Sequence, residues 1–217
     1  LSRVTYPLFA SIQDDAERLK RVYKQIMKMV IFIIAPILVI LAVLAEPTFR
    51  FLFTEKWLPA VPYFQILCIT GILHPIHSYN LNILNVKGRS DLFLKLEVIN
   101  KVLIIIVVFI TVQFGIMALL YGQVLISVIS FAINTHYSGK LINYKGLEQI
   151  KDVTPAILIS IFAGAVVFLL DYYQLSGFLD IYRILIGGLI GTGIYIGLAY
   201  LFKFSSINDL KTLIRKQ

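Results

Sequence analysis

The sequence predicts an all-α polytopic membrane protein with six transmembrane helices. Between Val102 and Gly139 lie 38 residues without one Asp, Glu, Lys or Arg. One bilayer crossing uses only about 20 residues, so this stretch must turn back on itself, and Gln113-Phe114-Gly115 is the natural place. Similar runs recur along the chain, which is 59% hydrophobic and 15% charged with a mean hydropathy of +0.85. The runs lack the two-residue alternation of a barrel strand. In lipid every backbone group must be satisfied internally, which leaves helices.

The first crossing is expected from Met29 to about Phe53 and opens with seventeen uninterrupted apolar residues. The second, Val61 to Val86, is preceded by Pro59 and opened by Pro62, which suit a first helical turn. The third runs from about Leu92 to Val112, and the fourth from about Ile116 to Ser138. The fifth covers Val153 to Leu170 and the sixth Ile184 to Phe202. Six crossings put both ends on one side. Of the 20 Lys and Arg, 16 fall in residues 1–29, the second-to-third and fourth-to-fifth loops, and the tail. The positive-inside bias makes that side cytoplasmic. The net charge of +8 reflects this bias and does not indicate nucleic acid. Trp57 and Tyr63, and Tyr172, Tyr173 and Tyr182, mark the outer boundary as an aromatic belt.

Residues 1–28 read as a cytoplasmic amphipathic linker, with Ile12, Ala16, Leu19, Tyr23 and Ile26 at helical spacing. It is expected to lie along the membrane face and lead into the first span. Residues 29–138 hold four cavity-forming helices, 139–152 a cytoplasmic loop, 153–203 a peripheral helix pair and 204–217 a tail with a shorter amphipathic helix. The chain opens with Leu1, without a signal peptide, and reads as a fragment lacking an N-terminal part.

Function must lie in the few polar groups that lipid tolerates. On the second span Tyr63, Thr70, Gly71, His74, His77, Ser78, Asn82 and Asn85 fall within an arc of about 140°, and Asn80 points elsewhere. Either this stripe lines a substrate path, or its side chains bond neighbouring helices. Pro75 removes one backbone hydrogen bond mid-helix and marks a hinge. The third span carries Glu97, Asn100 and Lys101 on one face. Glu97 and Lys101 have the favourable i, i+4 spacing for an ion pair. Lys101 either snorkels or places a cation in a cavity. The fourth span presents Gln123, Ser127, Ser130 and Asn134, with Tyr137, in one narrow arc. The fifth and sixth spans offer Ser160-xxx-Gly164, Gly187-xxx-Gly191 and Gly193-xxx-Gly197, spacings that allow close helix packing. Glu46 and Arg50 flank Pro47, a second bend, and form either a local ion pair or an outer gate.

Several functions are excluded or disfavoured. No carboxylate or cysteine joins His74 and His77 on their helix, so no metal site is expected there. Cys68 is the single cysteine. GxxxxGK[ST], GxSxG and HExxH are absent, so no enzyme and no cofactor is expected.

Tyr6-Pro7-Leu8-Phe9-Ala10 with Asp14-Asp15, then Ala45-Glu46-Pro47, Thr54-Glu55-Lys56-Trp57-x-Pro59-Ala60-Val61-Pro62 and Gly88-Arg89-Ser90-Asp91, resemble the C-terminal half of a Wzx-type polysaccharide flippase of the MOP superfamily. The resemblance is clearest from residue 1 to about 137. It implies a two-lobe, MATE/MOP-like transporter of twelve to fourteen helices in the bacterial inner membrane. It also implies transport of undecaprenyl-pyrophosphate-linked oligosaccharide by alternating access. The implied partners are this lipid-linked oligosaccharide, membrane lipid, and a polysaccharide polymerase and glycosyltransferases. Hydroxyls and amides would then meet sugar, and Lys101 the pyrophosphate. Two competitors stay open. A MATE-like cation-coupled antiporter would want buried carboxylates, and a membrane scaffold would seal its polar stripes helix to helix.

Overall fold

The computed structural model describes Phe9–Phe204 and Ser206–Ile207. The residues Tyr6-Pro7-Leu8 of the resembling motif and nearly all of the expected tail helix lie outside this set. Helix α1 covers Ala16–Val43, α2 Ala45–Phe53, α3 Val61–Val86, α4 Ser90–Thr111, α5 Ile116–Leu141, α6 Gly146–Leu170 and α7 Asp180–Leu201. Short 3-10 turns occupy Glu55–Ala60 and Val112–Phe114, and a π-turn Asp171–Leu175 closes α6. The described residues contain no strand.

Five segments are long and apolar enough to cross a membrane: Ala16–Val43, Glu55–Val86, Ile116–Leu141, Gly146–Leu175 and Asp180–Leu201. The third expected crossing is also a helix, α4, but Asp91, Lys95, Glu97 and Lys101 dilute its apolar character. The charge-free run reverses at Val112–Phe114, where Gly115 takes a φ of 88° that disfavours a side chain.

Two expectations need correction at the first span. No joint separates an amphipathic linker from the crossing, because α1 is one helix from Ala16 to Val43. Asp15 caps it by accepting the Arg18 amide at 2.9 Å. Its buried stripe is Leu19, Tyr23, Met27 and Val30, whereas Ala16 is exposed and Ile26 half-buried. The bend also falls before Pro47. Helix α1 stops at Val43 and α2 restarts at Ala45, with Pro47 in its first turn. A proline ring clashes with the carbonyl four residues back, here Val43, so the break precedes the proline.

The chain divides into two compact units, with α1, α3 and α6 contributing to both. One takes the described residues of Leu1–Lys28 and Leu73–Asp152. Here Lys20 meets Glu148 at 3.7 Å, and Lys24 and Lys28 meet Asp152 at 2.8 and 3.0 Å. The basic face of α1 is therefore tied to the start of α6. Asn80, fully buried on α3, joins four elements. Its Oδ1 accepts from Tyr23 Oη (3.0 Å), Ser138 Oγ (2.7 Å) and Gln149 Nε2 (3.1 Å). Its Nδ2 donates to Gln149 Oε1 and to the Ile76 carbonyl, both at 2.9 Å.

The other unit takes Met29–Ile72 and the described residues of Val153–Gln217. Phe32 packs with Ala163, Tyr195 and Ala199, and Ile40 and Leu44 with Val167. Thus α6 and α7 hold the Met29–Val43 part of α1 in their shared core. A Cβ on Gly164 would lie 2.5 Å from Val39 Cγ1, and one on Gly191 2.8 Å from Val167 Cγ2. Small residues are required there, but Gly193 and Gly197 face open space. Pro36 leaves the Phe32 carbonyl without its helical donor, and Tyr195 Oη supplies one at 2.8 Å. The Glu46–Arg50 pair forms at 2.7 Å. Arg50 also reaches Asp180 at 3.3 Å, and Asp180 is shared with Arg183, which grips Asp171 through two hydrogen bonds of 2.8 and 2.7 Å.

Candidate functional site

A cavity of about 480 Å³ opens within the first unit between α3, α4 and α5. Its walls follow from helical periodicity. Helix α3 supplies His74, His77 and Leu81; α4 supplies Glu97, Asn100, Lys101, Ile104, Val107 and Val108; α5 supplies Leu119, Leu120, Gln123, Ile126, Ser127, Ser130 and Asn134. These positions recur every three or four residues, as one helix face requires.

The lining is graded. Helix α4 is polar at 97–101 and apolar at 104–108, and antiparallel α5 is apolar at 119–120 and polar at 123, 127, 130 and 134. The polar wall therefore gathers towards the α4 N-terminus and the α5 C-terminus. Asn100 Nδ2 donates to Asn134 Oδ1 at 3.3 Å. The other halves of both amides, Asn100 Oδ1 and Asn134 Nδ2, are buried without a partner, as are both ring nitrogens of His77. Unpaired buried polar atoms cost about 1–3 kcal/mol each. The three residues line the same cavity from three helices: an acceptor, a donor, and an imidazole whose tautomer can supply either.

Nine residues singled out from the sequence line this cavity: His74, His77, Glu97, Asn100, Lys101, Gln123, Ser127, Ser130 and Asn134. Ser78, Asn82 and Asn85 do not. Ser78 and Asn82 lie on the far flank of the α3 arc, and Asn85 is a turn beyond Leu81. Pro75 sits within an α3 assigned as continuous. No ion pair closes between Glu97 and Lys101 among the described residues, although both line the cavity.

Sequence reasoning set Asn80 apart from the stripe but missed its role, and it missed Gln149 and Tyr144. The available signal was an Asn opposite a polar arc in an apolar helix, which requires partners of its own. Tyr144, in the α5–α6 turn, donates to Asp152 at 2.7 Å. Burial above all, and then the Asp152 carboxylate, push its phenol above the usual range. Asp152 also meets Lys24 and Lys28 at 2.8 and 3.0 Å.

The fold is that of a multi-pass helical membrane protein, with a cavity between α3, α4 and α5 lined by polar and apolar side chains together. Comparisons with known proteins narrow the class. A family model described as "Polysaccharide biosynthesis protein" matches residues 1–62. The chain is 31% identical over 131 residues to the lipopolysaccharide biosynthesis protein WzxC of Escherichia coli (strain K12), covering 60% of this chain and 27% of WzxC. It is 27% identical over 169 residues to the teichuronic acid biosynthesis protein TuaB of Bacillus subtilis (strain 168), covering 77% and 35%. Against an uncharacterized membrane protein in the cps region of Klebsiella pneumoniae it is 25% identical over 225 residues, covering 100% and 44%. No solved structure matches. The resemblance to Wzx-type polysaccharide proteins is thus borne out, and the chain spans less than half the length of each of these relatives.

Proposed function

We propose that this chain is the C-terminal part of a flippase. It moves undecaprenyl-pyrophosphate-linked oligosaccharide, an O-antigen, capsule or exopolysaccharide unit, across the bacterial inner membrane by alternating access. The observation that supports this most is the unpaired set formed by Asn100 Oδ1, Asn134 Nδ2 and the His77 ring among the residues of one cavity. A sugar hydroxyl donates and accepts at once, so it complements a neighbouring acceptor and donor. Lys101 lines the same cavity and supplies a cation for pyrophosphate. Pro75, with the helix break before Pro47, provides the bending points of the cycle. The positive charge of the loops supports cytoplasmic ends, beside the glycosyltransferases that would build the substrate, with a polymerase to receive it on the far side. A cation antiporter is less well supported, since Glu97 is the one carboxylate among the cavity-lining residues. A scaffold with sealed polar stripes is disfavoured by the open chamber.

The test is complementation. A strain lacking the gene receives the complete reading frame with Lys101→Ala or Asn134→Ala. We expect surface polysaccharide to fall several-fold at unchanged protein level in the membrane. Normal export by both variants would remove this cavity from the transport path.

A further inference from the structure

A second concavity, of about 750 Å³, lies where α5 turns into α6, apart from the cavity above. Val128, Phe131, Leu147 and Ile150 give it an apolar lining, and Lys140 and Lys145 line it as well. The turn is built to place them there. Asn143 adopts the left-handed conformation at φ 50°, and the Tyr144 amide bonds back to the Gly139 carbonyl at 3.0 Å, which is the Schellman closure of a helix end. A Cβ on Gly139 would sit 2.8 Å from the Tyr144 carbonyl oxygen, so the return is that tight. Both lysines are exposed. Unlike Lys20, Lys24 and Lys28, neither takes part in an ion pair among the described residues.

Length and charge identify the occupant. From Val128 to Lys140 a helix rises about 18 Å, close to the roughly 15 Å of hydrocarbon in one leaflet. A soluble phosphate would use the lysines and leave the apolar lining bare. A neutral lipid would use the apolar lining and leave the cations uncompensated. We propose that this groove binds one anionic phospholipid of the adjacent leaflet, its phosphate against Lys140 and Lys145 and an acyl chain along Phe131, Leu147 and Ile150. The site goes beyond the export reading and shares no residue with the transport cavity.

The experiment is native mass spectrometry of the protein expressed from its complete reading frame, equilibrated with phosphatidylglycerol or phosphatidylcholine. The wild type should retain phosphatidylglycerol on the order of ten-fold better than phosphatidylcholine, as two lysines near a phosphate imply. K140Q/K145Q should lose that preference and K140R/K145R keep it. Ala132→Trp, which fills the groove without touching a charge, should displace the lipid as well, and it decides the matter if the neutralised pair does not fold. Excess glycerol phosphate should leave the bound lipid in place. Equal retention of both lipids by the wild type, unchanged preference in K140Q/K145Q and Ala132→Trp, or displacement by glycerol phosphate would overturn the proposal. Each result is independent of whether the transport cavity carries sugar.

Discussion

Asn80 is a polar residue that four elements of its unit depend on. Its amide is fully buried and links α1, α3, α5 and α6 through Tyr23, Ser138 and Gln149. Replacing it with Leu keeps the branched shape but removes the acceptor of the Tyr23 and Ser138 hydroxyls and leaves Gln149 only its bond to the Tyr144 carbonyl. We expect Asn80→Leu to lower stability by on the order of 2 kcal/mol, read as a drop in thermal unfolding temperature of the purified protein. The double variant Asn80→Leu/Gln149→Leu should lose less than the two single losses added together; strict additivity would mean the amides do not interact. Asp152 binds Lys24, Lys28 and Tyr144, and Asp152→Asn should lower the unfolding temperature; an unchanged temperature would mean that these bonds add nothing to stability. The sequence displays Asn80, Gln149 and Asp152 as residue types, but it does not show that they meet. Asn80 and Gln149 are separated by 69 positions, and only folding brings them within hydrogen-bond distance.

Among the elements, prolines and glycines act through specific neighbours. The helix break sits at Leu44, three residues before Pro47, whereas Pro36 and Pro75 lie inside helices assigned as continuous. At Pro36 the lost backbone bond is replaced by one from Tyr195 Oη. The glycines of α6 and α7 look alike in sequence but should respond in opposite directions. Gly164→Ala pushes a methyl into Val39 and should cost about 1–3 kcal/mol. Gly193→Ala meets nothing within 4 Å and should be neutral or stabilising by up to about 1 kcal/mol through helix propensity. Melting temperatures of the two variants check this pair, and equal shifts would contradict the packing described. Helix α4 carries the same lesson about charge. Its Glu97 and Lys101 weaken it as an anonymous apolar span, yet they serve the cavity wall.

For the molecule as a whole, orientation is the first measurable consequence. A cysteine at Lys145 should react with an impermeant thiol reagent only from the cytoplasmic side, and one at Trp57, exposed beside α2, only from the outer side. Native Cys68 is buried and should stay silent. Reaction of both sites from the same side would mean that α4 does not cross, because five crossings put the chain ends on opposite faces.

The all-helical character of the described residues and the reversal at Val112–Phe114 were legible in chain order, whereas the start of α1 at Ala16, the break at Leu44 and the start of α6 at Gly146 were not. Lipid reduces that problem to one dimension: apolar length against bilayer thickness, with charge setting direction. Which polar residues share a chamber was not legible to the same degree. An arc of about 140° on one helix suits more than one neighbour, and only packing against α4 and α5 placed His74 and His77 at the cavity and left Ser78, Asn82 and Asn85 off it. The Asn80 network and the groove beside Lys140 arose in the same way, from side chains distant in sequence whose meeting depends on how the helices pack.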